Sequence, residues 1–152
     1  MNKIIISDIS CLIALSRIGR IEILQKVFKI VYTTSIVAEE FEEPLPAWIV
    51  IRNVVNVDQI KKLQLILDPG EASTIALALE TDNAILIIDE KKGRKVAADL
   101  NVTIIGILKV LLLAKNKGAI DSVKEIIIEL QKQSFRFNKT IVDDVLKLAG
   151  EN

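Results

Sequence analysis

Short runs of β-branched residues recur along the chain, separated by segments whose apolar positions repeat at helical spacing. The first run, Lys3-Ile4-Ile5-Ile6-Ser7, suits a strand buried on both faces, and Asp8-Ile9-Ser10 then offers polar caps for a helix over residues 12–16. Gly19 separates that helix from an amphipathic segment at residues 21–28, and residues 29–32 read as the next strand. Thr33, Thr34 or Ser35 can cap a helix that carries Val37, Glu40 and Phe41 and is stopped by Pro44 and Pro46. Residues 47–57 are rich in Ile and Val but alternate poorly, which predicts an edge strand or an extended connection anchored by Trp48. Helical spacing returns at residues 58–66, and the turn Asp68-Pro69-Gly70 launches an alanine-rich helix at residues 71–80. Residues 84–88 form the clearest buried strand. They are followed by a helix at residues 91–100, a strand at residues 102–105, a turn at Gly106 and a helix at residues 107–117 that stops at Gly118. Asp121 is expected to open a further helix, and residues 122–149 add helices interrupted at residues 134–138 by a turn or short strand. This alternation predicts an α/β fold: a three-layer α/β/α sandwich with a mainly parallel sheet.

Composition narrows the picture. With 152 residues, 51% of them hydrophobic, the chain is expected to form a single domain over residues 1–152, with C-terminal helices from about 121. Lys plus Arg and Asp plus Glu balance at 20 each, so no whole-molecule field draws in a polyanion, and local basic patches would have to do so. Neutrality and abundant Ile and Leu favour a homodimer that buries helical surface. The single cysteine, Cys11, excludes an internal disulfide and reads as a small buried hydrophobe, and the lack of histidine excludes His-based zinc, haem or triad chemistry. Asp8 and Arg17 interrupt any signal-like stretch, and the run at residues 104–114 is broken by Lys109 and too short for a bilayer. A cytoplasmic protein without a membrane partner is the expectation.

Four acids fall where strands end or helices begin: Asp8, Glu40, Glu71 and Asp89. Carboxylates gathered from distant segments to the carboxyl edge of a parallel sheet make an oxygen-only pocket for a hard divalent cation. Each also has an ordinary structural explanation. Asp8 and Asp89 can be helix caps, and Glu71 suits the positive end of its helix. Glu40 comes late in its helix, where a negative charge is unfavourable, although Glu39, Glu42 and Glu43 could make it part of a solvated face. Glu90 competes with Asp89 as the last ligand. A phosphoacceptor receiver domain needs an acidic pair after the first strand, and a haloacid-type phosphatase needs Asp-x-Asp there; Ser7-Asp8-Ile9-Ser10 supplies neither.

Four segments together resemble PIN-domain proteins, in particular a VapC-like branch of the domain-of-unknown-function type. They are residues 7–15 (Ser-Asp-Ile-Ser-Cys-Leu-Ile-Ala-Leu), residues 37–41 (Val-Ala-Glu-Glu-Phe), residues 70–78 (Gly-Glu-Ala-Ser-Thr-Ile-Ala-Leu-Ala) and residues 86–94 (Leu-Ile-Ile-Asp-Glu-Lys-Lys-Gly-Arg). The resemblance runs from residue 4 to about residue 120. It implies a PIN-like sheet, and Mg²⁺ or Mn²⁺ held by Asp8, Glu40, Glu71 and Asp89, with Glu90 as the alternative. It also implies endoribonuclease activity on single-stranded RNA, commonly as the toxin of a pair whose antitoxin is a small protein. Ser10 would be a polar neighbour of the site, and Lys91, Lys92 and Arg94 would meet RNA phosphates, unless they form a solvated helix face. Two departures stand out: Glu71 replaces the Asp common in the family, and the Thr-x-Asp around the last acid is absent. A catalytically inactive PIN-like binding or scaffold module is therefore the alternative.

Overall fold

The computed structural model describes residues 2–151. Five strands, β1 (Ile4–Ser7), β2 (Val31–Thr33), β3 (Ile49–Ile51), β4 (Ala84–Ile87) and β5 (Thr103–Ile105), form one all-parallel sheet in the order β3-β2-β1-β4-β5. Strand side chains alternate between faces, and so do the cores. Ile5, Val31, Ile49 and Ile87 point into the layer of α1 (Ile9–Arg17), α2 (Glu22–Phe28), α7 (Ile107–Asn116) and α8 (Val123–Lys132). Ile6, Leu86 and the half-buried Tyr32 point into the layer of α4 (Val57–Leu63), α5 (Pro69–Leu79) and α6 (Lys91–Asp99). The expected α/β/α sandwich is therefore present. The short helix α3 (Ser35–Phe41) packs on α1 and α5, and α9 (Lys139–Leu148) lies against α7.

Several boundaries differ from the sequence reading, each for a local reason. The second strand begins at Val31, not at residue 29, because Lys29 closes α2 with φ of 70° and donates its N–H to the Gln25 carbonyl at 2.8 Å. Only Ile49–Ile51 of residues 47–57 joins the sheet; beyond it the Glu80 carboxylate takes the N–H groups of Val55 and Asn56 and diverts the chain. Helix α5 starts at Pro69, two residues before the expected start, since Asp68 caps it by accepting the Glu71 N–H at 2.8 Å and Pro loses nothing in the first turn. Helix α8 starts at Val123, capped by Ser122 and not by Asp121. Residues 134–138 contain no strand.

Glu151 fastens the C-terminal helices. Its carboxylate accepts from Lys115 Nζ at 2.8 Å on α7, and from Ser122 Oγ at 2.9 Å and the N–H groups of Val123 at 2.8 Å and Lys124 at 3.1 Å at the start of α8. Burial alone would raise its pKa, but Lys115 and these donors hold it down at about 2. Glu151→Gln is expected to lower stability by about 1.5–3 kcal/mol at neutral pH, measured by urea unfolding, because charge-assisted hydrogen bonds are lost. The folded pKa lies below the unfolded 4.5, so this contribution is present above about pH 4.5 and lost as pH falls through about 2.

Candidate functional site

The chain order creates the site. From central β1 the connections run outward to β2 and β3, and from β4 they run the other way to β5, so the sheet has a switch point between β1 and β4. Crevices at such points, outside the carboxyl ends of the strands, are where open α/β sheets bind ligands. Asp8 follows β1 there and Asp89 follows β4, and the strand ends are tied together by Asp8 N–H to the Ile87 carbonyl at 3.0 Å and Thr33 Oγ1–H to the Ser7 carbonyl at 2.8 Å.

Asp8 is 1% exposed and occupies the cap position of α1, yet its side chain makes no capping bond and Oδ1 has no partner among the described residues. Burial pushes its pKa up to about 7; the Ile9 amide opposes this, and the charges of Asp68, Glu40 and Asp89 add to it. Glu71 is 7% exposed, and its Oε2 is likewise buried without a partner. Burial, then Asp68 and Glu90, hold its carboxyl well above the usual range. Glu40 is exposed near the end of α3, its pKa raised by partial burial and by Asp68. Asp89 keeps solvent access but is turned to the start of α7, where its two oxygens accept the Ile107 N–H at 3.0 and 3.3 Å. Desolvation raises its pKa against the pull of that N–H and of Arg94. Glu90 caps α6 through the Gly93 N–H at 2.8 Å, which lowers its pKa and turns it toward Glu71.

The acids therefore form a connected row of neighbours, in which the charges of Asp68, Glu40 and Asp89 act on Asp8 and those of Asp68 and Glu90 act on Glu71. Asp68, which the sequence reading used only as a turn residue, acts on Asp8, Glu40 and Glu71. Two glycines let the row close up: a Cβ on Gly70 would lie 2.7 Å from Glu40 Oε1, and one on Gly93 would lie 2.6 Å from Glu71 Oε2. A hydroxyl chain braces the row. Ser73 Oγ donates to the Gly70 carbonyl at 2.8 Å, Thr34 Oγ1 bonds Ser73 Oγ at 2.7 Å, and Thr34 caps α3 through the Val37 N–H. The start of α3 is thereby fixed against the first turns of α5, and Glu40 extends from the opposite end of that short helix.

The remaining expected residues separate. Ser10 is half-buried, and its Oγ has no partner among the described residues. Arg94 is committed to the Ile88 carbonyl at 2.7 Å, whereas Lys91 and Lys92 are exposed on the first turn of α6. Cys11 is fully buried. Among the described residues no three of the Asp, Glu or Cys side chains are gathered closely enough to encircle a metal ion. Asp68, Asp89 and Glu90 are each drawn to a helix N-terminus, which spreads the acids along the crevice. The donor set still fits a hard cation: it is all oxygen, two buried oxygens await a partner, and Mg²⁺ is held through one or two carboxylates with waters completing its shell.

A parallel sheet between two helical layers, with carboxylates along its switch point, defines a class of small α/β proteins with an acid-lined crevice. The sequence model of the DUF3368 family, a PIN domain, matches residues 4–151, and the chain belongs to this family. The match extends past residue 120, so it includes α8 and α9 as well as the segments that carried the resemblance. Neither the curated proteins nor the solved structures give a match. PIN domains are in general nucleases, act on nucleic acid and typically use divalent metal ions. No helix among the described residues is long and apolar enough to cross a membrane.

Proposed function

We propose that the protein is a metal-dependent endoribonuclease of the VapC-like kind, cleaving phosphodiesters of single-stranded RNA as the toxin of a toxin–antitoxin pair. The observation that carries this reading is the buried, unpartnered Asp8 Oδ1 amid Asp68, Glu40 and Asp89 at the switch point. A carboxylate so placed is costly without a counter-charge. One or two of Asp8, Glu40, Asp68 and Glu71, with Asp89 or Glu90 as a further candidate, would hold Mg²⁺ or Mn²⁺, and waters would complete its shell. When bound, the ion supplies charge neutralisation beside the phosphodiester and an activated water. The chain's own part is to fix the acids on helix termini, to offer Ser10 Oγ beside Asp89, and to present Lys91 and Lys92 to the RNA backbone. A small antitoxin with a basic side chain would complement the acid row.

Single-stranded RNA incubated with the protein in Mn²⁺ is expected to give discrete fragments, and excess EDTA to stop the reaction. Equal cleavage in EDTA would overturn the reading. The inactive binding-module reading is favoured by one observation, the commitment of both Asp89 oxygens to the start of α7. That reading expects no fragments under any condition.

A homodimer is supported by exposed apolar side chains around β3 and α4, with Ile51 50%, Val55 85% and Leu65 84% exposed. Light scattering at micromolar concentration is expected to give twice the chain mass; a monomer mass would contradict it.

A further inference from the structure

Beside the acid row, between α1, α7 and α9, lies a cleft of about 440 Å³ that is far larger than an ion requires. Ser10 and Asp89 form its edge toward the row, while Phe135, Phe137, Leu112 and Ile141 give it apolar walls. Three cations, Arg94, Lys109 and Arg136, line it against the single acid Asp89. Lys109 and Arg136 are exposed and are in no ion pair with a described residue. In a chain of zero net charge this is a local excess of positive charge around an apolar floor, next to the carboxylates. Helix α9, which forms one wall, has no fully buried residue, and Ile141 stays 52% exposed.

We propose that this cleft receives one unpaired nucleobase of the RNA strand, next to the phosphodiester held at the acid row. The inference rests on the nuclease reading above. Single-stranded nucleic acid alternates an anionic phosphate with a flat apolar base, and proteins that hold it pair a cationic rim with aromatic surfaces. Phe135 and Phe137, with Arg94, Lys109 and Arg136, reproduce that alternation within one cavity. Neutral hydrogen-bonding groups are few: the Asn138 amide oxygen is already taken by the Ile141 N–H at 3.2 Å, and Ser10 Oγ is the polar atom at the inner edge, while the charged groups suit phosphate more than a base edge. The base is therefore held by stacking, and the four bases are accepted with modest preference.

The test walks one abasic nucleotide along a short single-stranded RNA, with binding to the unaltered chain followed by fluorescence anisotropy and cleavage followed in Mn²⁺. One position beside the cut is expected to weaken binding about 5- to 150-fold when its base is missing, the range of a lost base–aromatic stack, and the other positions are expected to matter little. Phe137→Ala should show the same loss with intact RNA and no further loss with the abasic RNA, and Phe137→Trp should bind normally. Ile141→Ser, at an exposed position, gives a second variant that leaves the core intact. RNA cleaved normally but indifferent to every abasic position and to all variants would overturn the proposal and leave the cleft to a protein partner. RNA neither bound nor cleaved would overturn it together with the nuclease reading.

Discussion

Asp8→Asn is expected to reduce RNA cleavage by more than about 100-fold and, in the metal-free protein at about pH 8, to raise stability. Both effects come from one charge. Asp8 is 1% exposed with a pKa of about 7, against 3.8 for the ordinary side chain, so holding it ionised at pH 8 costs about 4 kcal/mol at ~1.4 kcal/mol per pKa unit. Asn keeps the shape and removes the charge. Part of that cost should then be recovered, on the order of 2 kcal/mol, since an amide in the same place still lacks a full set of partners. Activity moves the other way because the charge that strains the apoprotein is the one a cation needs. Urea unfolding in EDTA and cleavage in Mn²⁺, measured on the same preparation, would check both arms. A variant that cleaves RNA like the unaltered protein would remove Asp8 from the reaction, and one less stable at pH 8 would refute the electrostatic account.

The stability of the metal-free protein is also expected to fall between about pH 5 and pH 8, and Mn²⁺ to restore it. The folded pKa of Asp8 lies above its unfolded value, so its proton stabilises the fold fully below about 3.8, and this stabilisation disappears as pH rises through about 7. Glu71, Glu40 and Asp89 are displaced in the same direction, Glu71 the furthest of these three, and they extend the decline. Glu151 runs opposite, but its contribution changes with pH only below about 4.5 and is constant across this range. A bound cation replaces the missing protons, so the melting temperature should rise more with Mn²⁺ at pH 8 than at pH 5. Circular dichroism melts across this range are the measurement. A flat profile without metal, or equal metal shifts at both pH values, would show that the acids are too well solvated for the role assigned to them.

The sheet was legible because its strands are buried on both faces. Ile4, Ile5 and Ile6, and Ile85 to Ile88 with Leu86 among them, form runs that no exposed element would carry. The third strand was blurred because its neighbours Val54, Val55 and Val57 have strand-like composition but lie outside the sheet, held off by the Glu80 carboxylate, a contact across the fold that local composition does not encode. Asp8 and Asp89 were readable from strand ends for the same reason that the strands were. Asp68 was not: the Pro and Gly that follow it fully explained a turn, and its charge matters only once α3 and α5 bring Glu40 and Glu71 beside it. Adjacency in sequence also concealed how differently Asp89 and Glu90 are placed. Consecutive residues turn different ways, one toward α7 and the other toward α6.

The division of the row between the two helical layers has a further consequence. Asp8 and Asp89 are set by α1 and α7 on one side of the sheet, while Asp68, Glu71 and Glu90 are set by α5 and α6 on the other. Spacing between the two groups of acids is therefore governed by the thickness of the sheet and its two cores. Exchanging Ile6, Leu86 or Ile87 for a side chain one methylene smaller or larger is expected to shift the spacing between the two groups without altering a single acid; on the proposed metal-dependent reading the ratio of Mn²⁺ to Mg²⁺ affinity, measured by calorimetry, should then change, and an unchanged ratio would break the link.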